Sequence, residues 1–547
     1  MTPDIRISEI ISGNDWRIPT RLNFAAAVCD RHAIATPEAP AVIFEAEDGK
    51  SVRYNFRQLD RAACRVANML AAYGVKRGDQ VMIMQSQSVE AVLTYVACMK
   101  MGAVFVPIST MYGEVAISER ASAADVCVIV ADKENYPKLV NLKAKVESLR
   151  AIFLVDGEEA GAIDFGKKML EASDEFQTVD TAAEEVAYIC YTSGSTGAPK
   201  AVMHAHRFLL ANIPGFSMLH NNFGQEGDVM WSPADWSWGA GIIAVLLPTL
   251  WHGKPIVACR PKSRFDAEHA FALMSRHGVR NAFLIPTMLR MLQQVRKKPS
   301  VKLRSFFSGG EMITQELVDW SSHEFGVLPN EGYGQTECNM VLAHLPQLIS
   351  PRYGSLGKPF PGMTVMLQNA DGSPTPVGEI GEITVRAPSP LMLLDYWKNP
   401  QATAEKMRGG WFHSNDLARV DEEGYFWFAG RNDDVIKTSG YRVGSAEIES
   451  CLTSHPEVAA AVAIGVPDAL RGQIIKAFVI PRDEALAGEA LKASLKSYVA
   501  EGHAKHFVPS EIEFVDSLPV TTSGKVERRT LREREIRNRA LAANLRV

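Results

Sequence analysis

No Cys-x-x-Cys pair occurs in the 547 residues, and the eight cysteines are scattered along the chain. That spacing argues against a zinc site or a small disulfide framework and suits a reducing cytosol. Charge of one sign is missing too. Lys and Arg number 58 and Asp and Glu 63, a formal net charge of -5. Nothing in that balance points to nucleic acid or an anionic membrane as a partner. No apolar run reaches the roughly 20 residues that span a bilayer. The most apolar window, 239–253, is short and interrupted by Gly and Pro, so a buried core segment is expected there. The opening MTPDIRISEI mixes acids and bases and lacks the apolar stretch of a secretory signal. A cytoplasmic protein without stable membrane insertion is the resulting expectation. Repeats and low-complexity tracts are also absent.

What is present is ordinary globular composition, 46% hydrophobic and 22% charged. It excludes a largely disordered or collagen-like chain and allows several folding units. The N-terminal half alternates strand-like and helical stretches: Gln80-Val-Met-Ile-Met, a helix over Val89 to Met101, then Ala103-Val-Phe-Val-Pro. Short apolar strands separated by helices predict βαβ units and a mostly parallel, covered sheet. Near 354 the texture changes. Residues 363–386 carry turn signals that predict antiparallel hairpins. After Arg431-Asn432-Asp433-Asp434 a smaller α+β unit is predicted, in the order helix, strand, strand, helix, strand. The fold class is therefore α/β. A large N-terminal domain (1–432) would combine βαβ sheets with a β-rich subdomain, and a small α+β domain (433–547) would follow.

Five segments stand out for chemistry. A strand runs into Thr192-Ser193-Gly194-Ser195-Thr196-Gly197-Ala-Pro-Lys200. Glycines free backbone N–H groups to turn toward an anion, hydroxyls add donors, and the lysine adds a full charge. This is chemistry for a polyphosphate, although the Walker A spacing is absent. Glu331-Gly332-Tyr333-Gly334-Gln335-Thr336-Glu337 offers carboxylates, which Mg²⁺ needs beside phosphate oxygens. Between 411 and 442 lie Asp416, Arg431, Asp433, Asp434 and Arg442. An Asp suits a ribose diol and an Arg suits phosphate. Ser308-Gly309-Gly310-Glu311 and Pro519-Val-Thr-Thr-Ser-Gly-Lys525 say little alone.

Taken in order, these motifs resemble the adenylate-forming superfamily of acyl-CoA synthetases, peptide-synthetase adenylation domains and beetle luciferases. The resemblance covers roughly 40 to 535. The wording around SGYRVGSAEIE is most similar to acetyl-CoA synthetase and to the medium-chain and aromatic carboxylate–CoA ligases. It implies an ATP-dependent ligase with two half-reactions. A carboxylate attacks the α-phosphorus of ATP to give acyl-AMP and pyrophosphate, then a thiol, usually that of CoA, expels AMP.

Residue by residue, the resemblance implies that Thr192 to Gly197 and Lys200 cradle the β- and γ-phosphates. Thr336 and Glu337 would position the α-phosphate and, with Thr192, Mg²⁺. Gly309, Gly310, Glu311 and Glu331 to Gln335 would line the adenine pocket. Asp416 would hold the ribose, with Arg431 beside it. Lys525 would bridge carboxylate and α-phosphate, and lysine acetylation there would remove its charge. Asp433 would be the hinge on which the mobile small domain turns. Ser439, Gly440 and Tyr441 would then line the pantetheine tunnel, with Arg442 on nucleotide phosphate and Arg471 on a CoA phosphate. One departure is Ser414-Asn415-Asp416, where many relatives have Thr-Gly-Asp.

Acetyl-CoA synthetases place a Trp before Gln-Thr-Glu, which blocks the pocket floor. Here Gly334 stands there, so a medium-chain or aromatic acid is expected. Trp236, Trp238 and Gly239 are expected to line the same cavity. The alternatives are a short-chain (acetate or propionate) ligase, an enzyme loading a carrier protein, a luciferase-like oxygenase, and a non-catalytic nucleotide-binding regulator. Assembly into a homo-oligomer is left open.

Overall fold

The structure, a computed structural model, describes residues 7–13, 15–46, 48–192, 200–260, 265–310, 313–432, 434, 436–438, 441–468, 472–502, 507–520 and 526–544. The chain packs as two compact units. One is Met1–Val365 with Arg386–Phe412, and the other is Met366–Val385 with His413–Val547.

The first unit is built on two large sheets. In the eight-stranded sheet the order is Asp395–Tyr396, Lys200–Ala205, Val186–Thr192, Val104–Pro107, Gln80–Met84, Val126–Ala131, Ala151–Leu154 and Ile163–Asp164. The six strands from Val186–Thr192 to Ile163–Asp164 run parallel, and Lys200–Ala205 is antiparallel to both its neighbours. Gln80–Met84 and Val126–Ala131 are buried at every position, as a sheet covered on both faces requires. The helix Val89–Met101 matches the range expected from its periodicity. Ser88 caps it by accepting the Ala91 N–H, and Gly102 ends it in the left-handed region (φ 67°).

The nine-stranded sheet runs Lys358–Pro359, Asn339–His344, Asn330–Gln335, Ser305–Gly309, Asn281–Phe283, Met230–Trp231, Ile256–Cys259, Pro40–Glu45 and Ser51–Asn55. Its middle is parallel, with antiparallel strands at both edges. Phe306, Leu284, Leu289, Leu317 and Phe325 belong to the core packed on it. The apolar window 239–253 is the buried helical stretch from Gly239 to Trp251, as expected. Among the described residues no helix is long and apolar enough to cross a membrane.

Lys100 is 1% exposed. Its Nζ donates to Asp30 Oδ1 (2.6 Å) and Asp60 Oδ1 (2.7 Å), tying three helical segments together. Cys29, Asp30 and Asp60 are the one group among the described residues close enough to hold a metal ion. The Lys100 ammonium already supplies its positive charge.

In the second unit, the expected hairpin region forms a sheet of Val365–Gln368, Ile380–Arg386 and Trp411–Val420, with Phe426–Arg431 paired to the last. The small α+β region follows the predicted order closely: Ser445–Thr453, Val458–Asp468, Gly472–Pro481, Glu489–Gly502 and Glu511–Phe514. Ile448, Leu452, Leu495 and Val499 cover one face of its sheet. Leu531, from the terminal helix Arg528–Asn544, joins Val462, Ile464 and Phe478 on the other. The expected hinge, Asp433, lies outside the described residues. The two units are a division by packing, not by motion.

Candidate active site

The ends of the phosphate loop are fixed by strand pairing. Thr192 and Lys200 are register partners on antiparallel neighbours, and the Thr192 hydroxyl donates to the Lys200 carbonyl (3.4 Å). Residues 193–199 lie outside the described residues, so Ser193, Gly194, Ser195, Thr196 and Gly197 are not placed. The short strand Asp395–Tyr396 pairs with Lys200–Ala205 on its far edge. That pairing brings the Tyr396 ring to 5.2 Å from Lys200 Nζ, a cation–π distance. The Tyr396 hydroxyl donates to Glu337 Oε1 at 2.7 Å, and the Leu393 N–H donates to the Glu337 carbonyl at 2.7 Å. Burial, then the Glu337 charge and hydrogen bond, push the Tyr396 phenol far above its ordinary value. It therefore remains a donor. Lys200, Tyr396 and Glu337 form one connected line at the base of the loop.

Asn330–Gln335 and Asn339–His344 form a tight hairpin with a register shift between Tyr333 and Gly334. A Cβ on Gly334 would lie 1.8 Å from the Asn339 carbonyl oxygen. The glycine is thus required by the close approach of the two strands. The expected room for a longer acid is not where a Gly334 side chain would point. Gly332 is walled by Met340 Sδ (3.0 Å from a would-be Cβ) and Phe307 (3.1 Å). Phe307 stacks on Phe283 at 4.9 Å, and Phe283 meets Trp238 at 6.0 Å. Gly310 turns with φ +86°, and its would-be Cβ would lie 4.0 Å from the Trp238 ring. Trp236 differs. It is 1% exposed, and its carbonyl accepts from the Tyr95 hydroxyl (2.7 Å), so its ring belongs to the core. A Cβ on Gly239 would lie 3.4 Å from Cys190 Sγ.

Glu331 faces the other side of the sheet. Burial pushes its carboxyl up to about 8, against a hydrogen bond from the Ile313 backbone that lowers it. Its cross-strand neighbours are Ser308 and His344. His344 Nε2 accepts the Arg352 N–H (2.8 Å), so in the neutral ring Nδ1 carries the hydrogen; it faces Glu331 Oε2 at 3.9 Å.

In the second unit, Asp416 and Arg431 are register partners, with Arg431 Nε 3.6 Å from Asp416 Oδ1. Asp416 is 6% exposed. The turn before it is held firmly. The Asp416 N–H donates to Ser414 Oγ (3.0 Å), and Ser414 Oγ donates to the Ile383 carbonyl (2.7 Å). Asn415 has φ 66°, a left-handed conformation that Gly adopts freely and Asn tolerates better than other side chains. Its N–H donates to Glu382 Oε1 (2.8 Å), while Glu382 Oε2 meets His413 Nδ1 (2.9 Å). At the departure from Thr-Gly-Asp, Asn415 thus takes up a left-handed turn without a glycine.

The AMP-binding enzyme family model matches residues 29–397, and the AMP-binding enzyme C-terminal domain matches 447–525. The chain belongs to the AMP-binding enzyme family. It is 33% identical over 510 residues to a Bacillus subtilis (strain 168) protein named uncharacterized acyl–CoA ligase YtcI, covering 92% of this chain and 94% of that one. It is 32% identical over 526 residues to acetyl-coenzyme A synthetase of the same organism, covering 94% and 91%. Among solved structures it is similar to the anthranilate CoA ligase AuaEII in complex with anthranoyl-AMP. That match has a TM-score of 0.86 and 27% identity, over 96% of this chain and 99% of that one.

Several expected family positions lie outside the described residues: Glu311, Asp433, Ser439, Gly440, Arg471 and Lys525. Tyr441 and Arg442 fall on the strand Tyr441–Val443, paired with Ile436–Thr438. Sequence reading missed Tyr396 and the Glu382–His413 frame behind Asp416. Tyr396 lies 59 residues from Glu337 in the chain, and no local pattern joins them. The link exists only through the pairing of a two-residue strand.

Proposed function

We propose that this family member, an AMP-forming acid–CoA ligase, activates a medium-chain or aromatic carboxylate with ATP and transfers the acyl group to CoA. The observation that carries the reading is the line Lys200–Tyr396–Glu337, which starts at the last residue of the phosphate-loop segment. In the first step a carboxylate oxygen forms a bond to the α-phosphorus and the bond to pyrophosphate breaks. In the second a thiolate attacks the acyl carbon, and AMP leaves with the electron pair. Two anions must meet in the first step, so fixed positive groups and positioning supply most of the catalysis. Lys200 offers charge at the loop's closing strand. Tyr396 holds one Glu337 oxygen, and among the described residues the other is open to a cation. One carboxylate plus phosphate oxygens is a donor set that suits Mg²⁺, which when bound offsets the polyphosphate charge. Asp416, nearly buried and braced through its turn, suits a ribose diol.

The similarity to an anthranilate CoA ligase supports an acid larger than acetate. In the same reading Lys525 bridges the acid and the α-phosphate. The domain 433–547 turns at Asp433 against 1–432, and Ser439, Gly440, Tyr441 and Arg471 meet CoA. Arg442 contacts nucleotide phosphate, and acetylation of Lys525 would silence the first step by removing its charge. The test is Lys525→Ala assayed for both half-reactions. Adenylate formation should fall by about 10²–10³, while supplied acyl-AMP and CoA should still give acyl-CoA. Equal loss of both steps would reject the alternation. ATP cleavage to ADP would reject the ligase reading itself.

A further inference from the structure

The strand Trp411–Val420 is broken one residue before Asp416. Asn415 sits there in the left-handed region, at φ 66°, a conformation that does not continue a strand. In a regular antiparallel strand the N–H and the carbonyl of a paired residue point to the same neighbour. At Asn415 they point to opposite ones. Its carbonyl accepts the Asn432 N–H (2.8 Å), just past the strand Phe426–Arg431. Its N–H turns the other way and donates to Glu382 Oε1 (2.8 Å). Glu382 belongs to Ile380–Arg386, the neighbouring strand on that side. A side-chain carboxylate thus takes the place of a backbone acceptor.

Glu382 is held at both oxygens. Oε2 meets His413 Nδ1 at 2.9 Å, and both side chains are largely buried. The residue after it adds a second hold on the same turn: the Ile383 carbonyl accepts from Ser414 Oγ, which accepts the Asp416 N–H. The carboxylate is the stronger of the two, since a bond to an ionised acceptor is worth roughly twice a neutral one.

We propose that Glu382 is a positioning residue for the nucleotide: by keeping Asn415 left-handed it aims the Asp416 carboxylate at the ribose diol, and the preference for a ribonucleotide depends on it. The inference rests on the ribose role of Asp416 in the ligase reading and adds the group that enforces it. Removing the carboxylate takes this acceptor from the Asn415 N–H and from His413. The left-handed conformation, unfavourable for a residue with a Cβ, then loses its main support. Relaxation toward an extended backbone would turn Asp416, the next residue, away from the ribose. A misplacement of about 1 Å in a positioning group costs about 100-fold.

The test is ribose selectivity in the full-length enzyme. The measurement is kcat/KM for ATP, 2′-deoxy-ATP and 3′-deoxy-ATP by pyrophosphate release, with hexanoate or benzoate as the acid. The wild type should favour ATP by about 10- to 100-fold, the worth of a hydrogen bond to a charged group. Glu382→Leu keeps the bulk and removes the acceptor. There the preference should fall below about threefold, chiefly through a higher KM for ATP. Glu382→Gln should keep the preference within about twofold, because the amide oxygen still accepts the Asn415 N–H and Nε2 can donate to His413 Nδ1. Should the leucine variant not fold, His413→Leu, which removes the other tie on Glu382, should lower the preference by about threefold. A merely structural role would slow all three nucleotides alike and leave the preference unchanged, and that result would overturn the inference. Equal loss of preference in Glu382→Gln and Glu382→Leu would do the same. If Asp416→Asn keeps the wild-type preference, it is the ribose role of Asp416 that fails. If no acid supports pyrophosphate release in the wild type, it is the ligase reading.

Discussion

The Tyr396 hydroxyl donates to Glu337 Oε1 at 2.7 Å, and the same ring lies 5.2 Å from Lys200 Nζ. One aromatic side chain thus touches both an acid and a base of the site. Removing the hydroxyl leaves the ring and its packing in place. Tyr396→Phe should lower kcat/KM for adenylate formation by about 10- to 100-fold, the worth of a hydrogen bond to a charged group. It should also raise the Mg²⁺ concentration needed for half-maximal rate. Steady-state pyrophosphate release at graded Mg²⁺ checks both. An unchanged Mg²⁺ profile would mean that the tyrosine only packs.

At Gly334 the structure corrects a sequence-based expectation about the acyl pocket. Its Cβ direction is filled by the Asn339 carbonyl, so Gly334→Ala should strain the hairpin rather than trim the pocket. Overpacking of this kind costs about 1–3 kcal/mol. Activity should fall by a similar factor with acetate, hexanoate and octanoate, together with a lower urea midpoint. Selective loss of the long acids alone would restore the original reading.

Asn415 holds a left-handed turn in front of Asp416. Asn415→Gly should change stability by no more than a few tenths of a kcal/mol. Asn415→Val should cost about 1–2 kcal/mol, since a β-branched residue resists that conformation. Because Asp416 follows directly, the valine variant should also raise KM for ATP. Chemical unfolding and ATP titration separate the two effects.

Acid should unfold the protein early. Burial pushes His204, His220 and His252 down to about 3 and His206 down to about 4. Each is neutral when folded, whereas an unfolded histidine gains its proton near pH 6.5. Their stabilising contribution is therefore whole above about pH 6.5 and is lost as pH falls toward the folded values, by up to about 1.4 kcal/mol per pH unit for each. Glu331 works with the opposite sign: raised to about 8 by burial, it stabilises at low pH and loses that contribution as pH rises through about 8. Thermal melts from pH 8 to pH 5 should show a steep decline below 6.5. His204 stacks between Tyr188 (4.9 Å) and Phe208 (3.8 Å), so His204→Phe should keep the packing and flatten the decline by about one proton. An identical slope in that variant would remove His204 from the set.

Much of this protein was readable before any fold was seen. Local periodicity and capping determined the βαβ half, the helix Val89–Met101 and the order of elements after 445, because those signals act over a few residues. The runs Thr192–Lys200 and Glu331–Glu337 stood out in the sequence for the same reason: each gathers Gly, hydroxyl and charged residues into a short stretch. Only the tertiary structure could decide what those stretches lean on. Tyr396 reaches Glu337, in a hairpin turn far from it in sequence. Gly334 is explained by the carbonyl of a facing strand, and of Trp236 and Trp238, two residues apart, the first is buried and the second only partly so. Contacts of that kind arise from strand register and sheet order, and no local pattern of residue types encodes them.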